Sequence, residues 1–125
     1  MDHDHAFQTY LRLAVVSQEK GQLQGRDRFV LLAADEAAHA GLLEFSERLR
    51  DVLLSTQPQH LLSRFDSYVT AAQSDELKLL VKQMRRLCGV EKAEAFVERQ
   101  LLPAKTESLP YRELVESLVV SLEKQ

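Results

Sequence analysis

Between residues 26 and 60 the chain reads RDRFVLLAADEAAHAGLLEFSERLRDVLLSTQPQH, and this stretch constrains the fold more than any other. Apolar residues recur at i, i+3, i+4 and i+7, the period of a helix with one side in a core. Gly41 breaks the pattern where a helix needs a residue that tolerates a left-handed stop. Pro58 closes the second run, since proline fits only the first turn of a new helix. The expected product is a hairpin of two antiparallel helices, with Ala34 opposite Ser46, side chains small enough to let the two backbones approach closely.

The helical period extends through the rest of the chain, and no strand-type alternation competes with it. Seven helices are expected, over about residues 4–20, 27–40, 43–56, 58–72, 74–88, 91–102 and 110–124. Gly21, Gly41, Gly89 and Pro103 mark the stops, and a loop is expected at 104–108. Glu44 and Arg48 stand at i, i+4 in the favourable order for an exposed ion pair. Only 4 Gly and 3 Pro in 125 residues leave little material for turn-rich β architecture. The length suits one all-α domain, residues 1–125, read as an N-terminal helix (1–20), a flexible connector (21–26) and a core of helical hairpins (27–125). The second helix, apolar nearly all round, is expected at the centre.

A net charge of −3 supplies no global field for nucleic acid or anionic membrane. The acidic start MDHDHAFQTY is unlike the basic start of a secretory signal, and no apolar run is long enough to span a bilayer. The lone cysteine, Cys88, has no partner for an internal disulfide, and the cytoplasm is the expected compartment.

With Asp27 as its first position, the hairpin resembles a tetratricopeptide-type repeat. Val30 stands at the family's large apolar position, Ala33 and Ala34 at its leucine and glycine, Gly41 at its turn, Ser46 at a small residue and Pro58 at the closing proline. Arg50 and Leu53 depart from the pattern, where the family prefers an aromatic and an alanine. A shift of 33 residues finds Ser67 and Ser74, but Leu79 and Glu91 then replace the second small residue and the proline. Helix length therefore repeats without the sequence, as in a degenerate right-handed stack or a compact helical bundle. The runs ADEAAHAGLLEFSERLR and PQHLLSRF also resemble short bacterial proteins of unassigned function.

The tetratricopeptide resemblance implies a noncatalytic module that takes a peptide or helix of a partner protein in a groove. Arg28, Leu31, Asp35 and His39 lie on one stripe of the second helix and Arg64 on the fourth; together they form the expected partner-binding set, unless the stripe is a solvated edge. A second surface for nucleic acid or an acidic partner is the basic face of the fifth helix, with Lys78, Lys82, Arg85 and Arg86. Nucleic acid is the less favoured of the two, for no aromatic is interleaved to stack on a base.

Glu36 and His39 have the E-x-x-H spacing of carboxylate-bridged metal sites, but no second copy completes a set, so no cofactor is expected. A terminal amine with His3 in third place would suit copper or nickel, against the plainer reading of a frayed end with His3 and His5 idle. No nucleophile elbow, phosphate cradle or zinc-protease motif is present, and the chain is not expected to be an enzyme. The leucine stripe of the last helix, Leu114, Leu118 and Leu122, either seals the domain or meets a second copy in a homo-oligomer.

Overall fold

A computed structural model describes residues 3–100 and 109–124, and among these the chain is helical without a strand. The helices are α1 (His3–Glu19), α2 (Leu23–His39), α3 (Leu43–Thr56), α4 (Tyr68–Ala71), α5 (Asp75–Leu87), α6 (Val90–Gln100) and α7 (Tyr111–Glu123), with a 3-10 turn, Leu61–Arg64, before α4. The expected end of α6 at Pro103 and the loop at 104–108 lie outside the described residues.

The first three helices begin at residues 3, 23 and 43, a repeat of 20 residues enforced by two copies of one turn. After α1, Gly21 N–H donates to Gln18 O (3.1 Å) and Gln22 N–H to Ser17 O (2.8 Å). After α2, Gly41 N–H donates to Ala38 O (3.2 Å) and Leu42 N–H to Ala37 O (2.8 Å). This crossed pair of bonds is the Schellman stop. It requires the left-handed backbone that Gly21 (φ 73°) and Gly41 (φ 81°) adopt, a conformation glycine takes without a side-chain penalty.

The connector expected at 21–26 is therefore shorter than its composition suggests. Gly21 and Gln22 make the reversal, and residues 23–26 already belong to α2. The physical reason is that a Schellman turn consumes two residues and leaves Gly25 free to continue the helix.

α2 is central, as its all-round apolar pattern implies, and packs against α1, α3, α4 and α5. α1 is not a peripheral helix laid across hairpins; it packs against α2, α6 and α7, while α3 packs on α2 and α7. Phe7, Tyr10, Leu11 and Ala14 are fully buried, as are Val30, Ala33 and Ala37 of α2. Ala34 and Ser46 are both buried on neighbouring helices, and the Ser46 hydroxyl has no hydrogen-bond partner among the described residues. The leucine stripe of α7 is covered within the domain. Arg48 ignores Glu44 and crosses to α7, pairing with Glu116 and Glu123 at 2.7 Å each. The hydrogen bond from Arg48 holds the Glu116 carboxyl below its usual pKa.

The long fourth helix expected from residue 58 does not form. After Pro58 the chain makes a turn, the 3-10 segment, an extended Phe65 and one turn of α4. Local polar groups capture the backbone that a continuous helix would bond internally. His60 Nδ1 accepts from Leu62 N–H (3.1 Å), and Arg50 donates to the carbonyl of Phe65. Glu47 accepts from Tyr68 N–H (2.9 Å), and Ser67 Oγ from Thr70 N–H (3.1 Å). Arg50, a departure from the repeat pattern, thus becomes an anchor for this segment. α5 restarts the regular structure, with Ser74 Oγ accepting from Leu77 N–H (3.1 Å) and Asp75 and Glu76 in its first turn, where carboxylates suit the helix dipole.

Candidate functional site

α5 packs chiefly against α2, so both of its flanks stay accessible. Residues i, i+4 and i+7 of a helix share a side. Leu80, Met84 and Leu87 accordingly line a groove of about 700 Å³ with Leu23, Arg28, Leu31 and Leu53, and polar groups of Asp27, Thr56, Gln57 and His60 at one end. Leu31 is buried in its floor, whereas Leu23 (50 % exposed) and Leu87 (58 % exposed) stand at its rims. Arg28 is exposed and has no ion-pair partner among the described residues. A neighbouring hollow of about 410 Å³ shares Arg28, Met84 and Leu87 and adds Leu13, Val16 and Phe96, so the apolar surface continues toward α1 and α6.

The other flank of α5 faces a cleft lined by Lys78, Lys82, Arg85 and Arg86, with Asp35 and His39 on its α2 side. The structure therefore divides the expected partner-binding set. Arg28 and Leu31 line the groove, Asp35 and His39 join the basic residues at the cleft, and Arg64 lies apart, paired with Glu76 at 3.1 Å on the surface. The two candidate surfaces are opposite sides of one helix, a relation set by how α5 docks on α2 and invisible in local spacing.

Beneath the cleft lies a polar cluster. Glu36 is fully buried and Asp35 nearly so. Arg85 bridges them, reaching Asp35 at 2.6 Å and also Glu36. His3 Nδ1 meets the second Glu36 oxygen at 2.6 Å, and Tyr68 O–H donates to Asp35 at 2.9 Å. Burial opposes the charge on Arg85, but its hydrogen bonds to Glu36 and Asp35 outweigh that effect and raise its pKa. Burial pushes the Tyr68 phenol far up, helped by the Asp35 charge. Nearby, Tyr10 O–H donates to Cys88 O (2.9 Å), and burial lifts this phenol to about 12. Burial also raises the Cys88 thiol, which disfavours the thiolate needed of a nucleophile.

The cluster corrects two sequence expectations. His3 is not idle: it begins α1, binds Glu36 and stacks on His39 with ring centroids 5.2 Å apart. Met1 and Asp2, which the copper or nickel reading needs, lie outside the described residues. Glu36 and His39 do not converge, because Glu36 is taken by His3 and Arg85 while His39 Nδ1 donates to Asp35 O (2.8 Å). Among the described residues no group of three or more potential ligands is arranged to hold a metal ion.

A second buried ion pair went unread in the sequence. Arg26 is fully buried and donates to Asp27 (2.8 Å), Gln18 (2.7 Å) and Thr56 (3.3 Å). Asp27 also accepts from Gln57 (2.6 Å), and Gln18 donates to Ser121 O (2.9 Å). Ends of α1, α2, α3 and α7 meet there. The only local signal was a charged pair one turn before Val30. None of the described helices is long and apolar enough to cross a membrane. No family model, curated protein or solved structure matches this chain.

Proposed function

We propose that the protein is a noncatalytic protein-binding module, and that its groove takes an amphipathic helix or short peptide of a partner. The observation that carries this reading is the pair of exposed leucines, Leu23 and Leu87, that line one groove together with Leu31, Leu53, Leu80 and Met84. Water contact with grouped large apolar side chains is unfavourable, and such grouping marks interaction surfaces. A helical ligand would present leucine-like residues at i, i+3 or i+4, and i+7 to this groove. Arg28, without an ion-pair partner among the described residues, supplies one cation for a ligand carboxylate at the groove edge. The resemblance of residues 27–60 to a tetratricopeptide hairpin agrees with such a role, as do the left-handed Gly41 and the buried Ala33, Ala34 and Ser46. The unpaired thiol of Cys88 fits a cytoplasmic setting.

Selection of a displayed library of helical peptides against the immobilised chain tests the proposal. Enriched sequences should carry apolar residues on one helical face with an Asp or Glu beside them. Leu87→Glu and Arg28→Glu should each weaken their binding while leaving the melting temperature unchanged, since both side chains are exposed. Failure to enrich such peptides, or binding indifferent to both substitutions, would refute the reading.

A further inference from the structure

We infer that the cleft on the other flank of α5 is a docking site for an acidic helix of another protein, separate from the apolar groove. Lys78, Lys82 and Arg86 stand at four-residue intervals, and none has an ion-pair partner among the described residues. Arg85 differs, because Asp35 and Glu36 consume its charge. At a rise of about 1.5 Å per residue these three cations repeat about every 6 Å. A second helix carrying Asp or Glu at i, i+4 and i+8 has the same repeat, so all three pairs can form along one line of contact.

The remaining lining favours a protein over a nucleic acid. Val81 and Ala72 contribute apolar surface, suited to side chains and not to a sugar-phosphate backbone. Among the described residues the cleft has no Phe, Tyr or Trp on which a base could stack, and the His39 ring is already stacked on His3. Three cations are also few beside the roughly 6–10 phosphate contacts of a typical nucleic-acid interface. His39, 54 % exposed, stands at the α2 edge with its Nδ1 already engaged by the Asp35 carbonyl. Asp35 is turned to Arg85 and Tyr68, so its charge is largely answered before a ligand arrives.

The proposal is tested on the full chain by fluorescence anisotropy with two labelled probes: a synthetic alanine-based helix bearing Glu at four-residue intervals, and a single-stranded RNA of similar length. Saturable peptide binding is expected, stronger at about 50 mM than at about 200 mM salt because the pairs are exposed and screened. Replacing Lys78, Lys82 and Arg86 together by glutamine should weaken it about tenfold or more, as the loss of three exposed pairs implies. Lys78→Arg with Lys82→Arg should keep it, and the triple glutamine variant should melt with the wild type. The inference is overturned if the peptide does not bind, if scrambling its Glu spacing leaves affinity unchanged, if the triple variant binds equally well or fails to fold, or if RNA is the tighter ligand at both salts. Leu87→Glu should leave peptide affinity unaltered, which separates failure at the cleft from failure at the groove.

Discussion

Arg85 is the residue whose removal should cost the fold most for its degree of exposure. Among the described residues its guanidinium alone pairs with both Asp35 and the fully buried Glu36. Arg85→Met keeps the aliphatic bulk but leaves Asp35 and Glu36 without their shared arginine, with Tyr68 and His3 as their remaining hydrogen-bond partners. Stripping one partner from a buried pair costs about 3–5 kcal/mol. The Arg85 side chain retains 28 % exposure, so water answers part of the lost charge and the lower end, about 3 kcal/mol, is expected. With an unfolding entropy of about 2.1 cal/mol/K per residue, that loss lowers the melting temperature of a chain this size by about 11 °C. Urea denaturation at pH 7, followed by circular dichroism, measures it. Asp35→Asn and Glu36→Gln added to Arg85→Met should recover at least half of the loss by removing the uncompensated charges. Arg86→Met, with no partner among the described residues, should change little. An Arg85→Met protein as stable as wild type, or a triple variant no better than the single one, would refute the assignment of Arg85 to the scaffold.

Other consequences can be checked on the same footing. Ser46→Ala removes a buried hydroxyl without a partner and should be neutral or stabilising by up to about 1 kcal/mol, whereas Ser46→Leu should cost about 1–3 kcal/mol by overpacking; equal effects would contradict close packing at this position. Burial lowers the pKa of His60 from 6.5, so the unfolded chain binds its proton more tightly. Its stabilising contribution is full above about pH 6.5 and is lost as pH falls through the folded value, and His60→Asn should reduce the stability difference between pH 7.5 and 5.5. Tyr10 is raised from 10.0 to about 12, so the folded state favours the protonated phenol below that value. Stability from this group should decline as pH rises from about 10 through 12, and ultraviolet titration should find its ionisation delayed until the protein unfolds. Cys88, buried and with a raised pKa, should react with iodoacetamide at pH 8 much more slowly in the native protein than in urea; equal rates would place the thiol at the surface.

Local chemistry was enough to read α1, α3, α5 and α7 nearly to their ends, because their apolar period and their boundary residues, the stops Gly21 and Gly41 and the cap Ser74, act within a few residues of one another. The segment after Pro58 was misread for the opposite reason. Its period is helical, but Arg50 and Glu47, neighbours in space rather than in sequence, take its backbone groups. The candidate site divides in the same way. The basic residues of α5 and the Arg28 stripe of α2 could be listed from spacing, yet their relation could not. By itself the sequence determined an all-helical chain, its reversals, and the residue types exposed on each helix face, since these follow from backbone preference and periodicity. Only the tertiary structure decided that α1 shares the centre with α2, that Arg26 and Arg85 are tied to carboxylates while Lys78, Lys82 and Arg86 have no ion-pair partner among the described residues, and that α5 separates the groove from a basic cleft. The physical reason is that burial and charge pairing depend on which helices meet, and that is a property of the packed chain.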